Sequence, residues 1–218
     1  MKTYNIIPIQ EPCCKPLMVL YIIKQIDSIV CKELKNMPDI MRNTEKLFTY
    51  EDYLKLDDTQ DYEVVGGELI LVPKPMPYHQ EVVGRLITEL NIFLRQNHLG
   101  KVYSDVDVVL GNQVVSPDLI FISKDRLSII TDMNIQGSPD FVVEVLSPST
   151  QKYDRKQKSQ LYHAYGIKEY WIVDPTLHLV EVFVAGMNEW NRAGVYDEGD
   201  VLVSPLLTGL QIELKNVF

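Results

Sequence analysis

The chain has 218 residues, 46% of them hydrophobic and 23% charged, with a formal net charge of −9 and a pI near 4.9. That length suits one globular domain with an appendage. The acidic balance weighs against a protein that coats nucleic acid through bulk charge, but leaves room for a carboxylate-rich metal site beside a locally basic groove.

The first segment differs from the rest. Cys13, Cys14 and Cys31 all lie in it, and their odd number and spacing match neither a disulfide framework nor a zinc site. Reduced thiols of a cytoplasmic protein are the expectation. The apolar run Leu17–Ile23 falls short of the ~20 residues of a membrane span. A lysine follows it and no small-residue cleavage site does, so no signal peptide is expected. Leu17, Leu20, Tyr21, Lys24 and Ile26 give only a mediocre helical pattern. Residues 1–43 are read as an extension of uncertain structure and residues 44–218 as the folded domain.

From Leu47 the signals sharpen. Phe48–Leu54 predicts a short helix with a threonine cap and acids in its first turn. Asp61–Val65 and Glu68–Val72, joined by Gly66-Gly67, predict a β-hairpin. Pro73, Pro75 and Pro77 break the chain. Val82, Val83, Leu86, Ile87, Leu90, Phe93 and Leu94 then recur at helical spacing over Tyr78–His98, with Gly100 as the expected cap. Three β-rich segments follow, Val102–Leu110, Val114–Ser123 and Phe141–Leu146. A second helix spans Gln151–Tyr165, and Glu169–Val173 is a strand ended by Asp174-Pro175. A hairpin from His178 and a strand near Leu210–Leu214 complete the chain. Strands, a crossover helix and a further strand define a mixed sheet flanked by helices.

Two acids stand out against apolar strands. Asp118 precedes the run Leu119–Ile122, which reads as a strand buried on both faces. Glu144 interrupts Phe141–Leu146, sharing a face with Val142 and Leu146. Carboxylates there are costly unless paired or metal-bound. Two of them near one sheet edge could share a divalent cation, and Mg²⁺ prefers a few carboxylates plus waters. The simpler reading of each is a partner lysine, a cap or water. On the second helix Asp154, Lys158, Leu161, Tyr162 and Tyr165 share one face, whereas Lys152, Lys156 and His163 point elsewhere and read as solvated. Lys158 is therefore the lysine aimed at the acids, with an Asp154–Lys158 surface pair as its alternative.

With these residues in place, a resemblance can be stated. Pro117-Asp118, the string Pro139 to Ser149, then Asp154, Lys158, Tyr162 and the string Gly166 to Pro175 resemble the Uma2 family of bacterial endonucleases in the PD-(D/E)XK superfamily. Tyr62–Leu69 and His79 add to the likeness, which spans about Leu47–Phe218. The resemblance implies a restriction-endonuclease-like α/β core, a mixed α+β sheet with an added N-terminal hairpin. It implies Asp118 and Glu144 as Mg²⁺ (or Mn²⁺) ligands, Glu63 as an extra acid, and double-stranded DNA as substrate. A homodimer follows by analogy, since cutting both strands needs two sites. The superfamily's lysine two places after the second acid is Leu146 here, so either Lys158 replaces it or the site is inactive. His79, Asp154 and Tyr162 are candidate substrate contacts. His79 could equally be an exposed helix-start residue, and Glu63 a solvent-facing hairpin acid. Tyr170 and Trp171 read as core. Lys74, Arg85, Lys152, Arg155 and Lys156 are candidates for a basic rim. The expected function is a metal-dependent DNA endonuclease. The alternatives are an inactive nuclease-fold binding or assembly module and a metal-dependent hydrolase of another substrate.

Overall fold

A computed structural model describes residues 47–56, 60–148 and 150–218, all within the unit Lys46–Phe218. The extension, the helical pattern considered within it and the boundary at residue 43 lie outside the described residues.

Local chemistry sets the first elements. Thr49 and Asp52 close a reciprocal capping box that starts α1 (Tyr50–Tyr53). β1 (Tyr62–Val65) and β2 (Glu68–Leu71) form the hairpin. Its two turn residues, Gly66 and Gly67, sit at φ +63° and +83°, which only glycine adopts without strain. Pro77 opens the long helix α2 (Pro77–Asn97) at a position where a missing N–H costs nothing. The helix ends on His98 in the left-handed conformation (φ 51°), not on Gly100 as expected. Gly100 instead begins β3 (Gly100–Tyr103), where a Cβ would lie 2.1 Å from the Ile122 carbonyl oxygen.

The segments read as two long strands are four shorter ones. Val102–Leu110 divides between β3 and β4 (Val108–Leu110), and Val114–Ser123 between β5 (Gln113–Val115) and β6 (Leu119–Ser123). Pro117, which cannot donate to a ladder, lies in the second break. Next come β7 (Ile135–Gln136) and β8 (Phe141–Val145). A composite helix follows: α3 (Gln151–Tyr153), a π turn (Asp154–Lys158) and α4 (Ser159–Ala164). The chain then forms β9 (Glu169–Asp174), β10 (Leu179–Ala185), β11 (Trp190–Asp197) and a small pair, β12 (Val201–Val203) with β13 (Gln211–Glu213).

The larger sheet runs β11-β10-β9-β8-β6-β3 and the smaller β2-β1-β5-β4-β7. β8 and β9 are parallel, joined by the composite helix, and their other neighbours in the larger sheet are antiparallel. Both faces of the larger sheet are covered, which explains its nearly unbroken apolar strands. One face carries Phe141, Val143 and Trp171 against Val82, Leu86 and Leu90 of α2 and Leu202 and Ile212 of the last pair. The other carries Ile120, Val142, Tyr170 and Ile172 against Tyr162 and against Val65, Leu110 and Val115 of the smaller sheet. Tyr170 and Trp171 are core, as expected.

Two further buried acids are structural. Glu169 accepts from the Trp171 indole, the Ser204 hydroxyl and the Leu206 N–H, and so fastens the segment after β12 to the sheet. Asp140 accepts from the Ser123 N–H and pairs with Arg126 and Lys168 at 2.9 and 2.6 Å. Burial pushes its carboxyl up, but those partners outweigh it and hold the group below its ordinary 3.8. A lowered native pKa contributes stability above the ordinary value and loses it as pH falls below. Asp140→Asn should therefore melt lower than the parent at neutral pH, with the gap closing below pH 3.8. A gap independent of pH in thermal melts would contradict this.

Candidate functional site

The site forms at one end of the larger sheet. β6 and β8 are antiparallel, with Leu119 paired to Val143, so Asp118, one residue ahead of Leu119, lies across from Glu144. The Asp118 carboxylate caps the strand end, accepting from the Val145 N–H at 2.7 Å, and its side chain is 22% exposed. Glu144 points into the layer between the sheet and the composite helix and is buried.

The π turn brings the lysine. The Ser159 N–H reaches back to the Asp154 carbonyl, one residue further than an α-helix allows. Lys158 and Asp154 both point inward and are buried. The Lys158 ammonium lies 2.8 Å from Glu63, 3.1 Å from Glu144 and 3.6 Å from Asp154. Glu63 is thus a buried acid, not a solvent-facing one. It also accepts from the Ser116 N–H at 2.9 Å, which ties β1 to the loop leading into Asp118. Tyr162 donates its hydroxyl to Glu144. The expected inward face holds for Asp154, Lys158 and Tyr162, while Tyr165 at the helix end is exposed.

Electrostatically the cluster has a surplus of acid. Burial pushes the Glu144 carboxyl well above the ordinary range. Lys158 pulls it down, but it is shared, and Asp154, Asp118 and Glu63 push it further up. Burial alone would also lower Lys158, yet Glu144, Glu63 and Asp154 hold it well above its ordinary value, so it stays protonated. Asp154 is raised by burial and by its acidic neighbours, against Lys158 and a bond from Thr150.

His79 joins the cluster from the opposite layer. Its Nε2 lies 2.8 Å from the Val145 carbonyl and 3.3 Å from Asp118, while Nδ1 is buried with no partner among the described residues. Burial disfavours its charged form, but Asp118 and the Val145 carbonyl outweigh that and raise its pKa. The alternative of a merely exposed helix-start histidine does not hold, since its side chain is only 11% exposed. His163, read as solvated, is half-buried: Trp190 packs across its ring and Gly186 offers it a carbonyl at 3.2 Å.

Some participants were not expected. The Tyr153 ring lies 5.6 Å from the Lys158 ammonium, and its hydroxyl is buried without a partner among the described residues. Asp107 accepts from Tyr53 and Ser116, each at 2.7 Å, and so braces the loop that carries Asp118. A signal for Asp107 existed: an acid directly ahead of the apolar run Val108–Leu110, the same context that singled out Asp118.

Three cations of the expected rim are engaged: Lys74 pairs with Asp61 at 2.6 Å, Arg85 with Glu81, and Arg155 with Glu181. Lys152 and Lys156 are exposed on the composite helix.

The chain is thus a mixed α/β fold with acids gathered at a strand end. The solved structure of "a putative nuclease belonging to DUF820" from Anabaena variabilis superposes with a TM-score of 0.67 at 20% identity, over 78% of this chain and 97% of that one. The family model Uma2, described as "Putative restriction endonuclease", matches residues 50–215, and the chain belongs to that family. No curated protein matches it. Among the described residues no helix is long and apolar enough to cross a membrane.

Proposed function

We propose that the chain is a metal-dependent endonuclease acting on DNA, with its site at Glu63, Asp118, Glu144 and Lys158. The observation that carries this reading is a buried cluster in which Glu63, Glu144 and Asp154 share one lysine while Asp118 adjoins it at the strand end.

The donor set suits a divalent cation. It consists of hard carboxylate oxygens with an excess of negative charge, which favours Mg²⁺ or Mn²⁺ over softer metals. Among the described residues no three His, Cys, Asp or Glu side chains already surround a common point. Lys158 lies among the carboxylates instead. Asp118, Glu144 and Glu63 would hold the ion once Lys158 shifts aside. When bound, the ion would supply Lewis-acid stabilisation of phosphate charge and a more acidic water. The chain's own residues do the rest. Lys158 holds a proton beside Glu144 and steadies developing negative charge. Tyr162 orients Glu144 through its hydroxyl, and His79 fixes Asp118. Lys158 would thus fill the role of the lysine that Leu146 replaces.

A second reading, an inactive binding module, is favoured by the closed ion pairs of Lys158, whose side chain is 7% exposed. One assay separates the two. Purified protein with Mg²⁺ should convert supercoiled plasmid to open circles, and chelation should stop it. Plasmid left intact across Mg²⁺ and Mn²⁺ would sink the nuclease reading in favour of the module.

A further inference from the structure

Beside the carboxylates, at the same end of the sheet, lies a second group of side chains that the mechanism above does not use. Val173 of β9 is paired with Val145, and the Leu146 N–H donates to the Val173 carbonyl at 2.8 Å. The turn from β9 to β10 therefore leaves the sheet one strand from the site, about 5 Å across. His178 ends this turn at φ 50°. That is an uncommon conformation for a residue other than glycine, held at some cost. Three contacts keep it there. Its Nδ1 lies 2.8 Å from Glu198, its ring stacks on Phe218 with centroids 5.1 Å apart, and its Nε2 lies 3.2 Å from the Tyr78 hydroxyl. With Nδ1–H turned to the Glu198 carboxylate, the Nε2 of a neutral ring would accept from the Tyr78 hydroxyl.

Tyr78 immediately precedes His79, which touches Asp118. The tyrosine is thus anchored by the first turn of α2 and by its own hydroxyl, yet it stays 38% exposed, beside Met76 and Leu177 at 61% and 68%. The rim of the site is therefore aromatic and apolar here. Three of the five cations that could track a duplex backbone, Lys74, Arg85 and Arg155, are paired to acids, which leaves Lys152 and Lys156 exposed on the composite helix. Phosphate tracking needs available cations, whereas stacking on an aromatic face needs an unpaired base.

We propose that Tyr78, braced by His178 and Glu198, is a stacking platform for an unpaired nucleobase, so that the site takes single-stranded or frayed nucleic acid in preference to a closed duplex. This rests on the nuclease reading and departs from the duplex implied by the family resemblance.

The test is fluorescence anisotropy with a labelled oligothymidylate, an abasic oligomer of equal length and a blunt duplex, with Ca²⁺ in place of Mg²⁺ to hold turnover down. The parent should bind the oligothymidylate about tenfold more tightly than the other two. Tyr78→Ala should lose that preference by a similar factor without changing abasic binding, and Tyr78→Phe, which keeps the ring, should restore most of it. Matching thermal melts would show that the variants are folded. Undiminished oligothymidylate affinity in Tyr78→Ala, equal losses in the Phe and Ala variants, or a preference for duplex would each overturn the proposal. If the parent relaxes plasmid while Tyr78→Ala binds normally, only the stacking platform fails. If the parent neither binds any of the three probes nor relaxes plasmid, the nuclease reading fails with it.

Discussion

Lys158→Met should lose about 3–5 kcal/mol of stability in metal-free buffer and should not relax plasmid. Methionine fills much the same space, so the loss would not come from a cavity. It would come from Glu63, Glu144 and Asp154, which lie within 4 Å of the ammonium and are buried by the same packing. Removing one partner of a buried ion cluster leaves uncompensated charge, which costs far more than the cluster contributes when intact. Part of the cost would appear as proton uptake by Glu144, already pushed upward by burial. Mg²⁺ should raise the melting temperature of the variant more than that of the parent, because in the parent Lys158 competes for the same oxygens. Equal Mg²⁺-induced shifts in the two proteins would contradict the view that lysine and metal share one place.

Asp118→Asn should do the opposite. Its side chain is the most exposed of the proposed ligands at 22%, and the amide oxygen can still accept from the Val145 N–H. Stability should change by less than about 1 kcal/mol, the net worth of a typical hydrogen bond. Plasmid relaxation should fall by roughly 10²-fold or more, since the Lewis-acid contribution of a bound metal is worth several kcal/mol. A variant that melts with the parent yet relaxes plasmid at the parent's rate would remove Asp118 from the proposed site.

The sequence displayed some of this arrangement and concealed the rest for physical reasons. Asp118 and Glu144 were visible because the first heads and the second interrupts an apolar run that has no use for a charge. Lys158 was visible because helical spacing put it on the face of Leu161 and Tyr162. The π turn was not, since one wider turn leaves the apolar pattern nearly unchanged, and it is this turn that carries Asp154 and Lys158. Glu63 looked like any hairpin acid. Its burial depends on β1 pairing with β5 through Val64 and Val114, a contact between strands far apart in sequence. The same long-range pairing created the second sheet, so Val102–Leu110 and Val114–Ser123 read as single strands when each is shared between two sheets. The helix ends on His98, and Gly100 serves β3 instead, where the backbone passes the Ile122 carbonyl too closely for any side chain.

Calorimetric titration of Mg²⁺ into the parent and into Asp118→Asn decides whether the acid-rich end of the sheet holds a divalent cation. Binding to the parent that weakens about tenfold or more in the variant, at unchanged melting temperature, is the predicted result. No heat of binding at millimolar Mg²⁺, or the same affinity in both proteins, would contradict it.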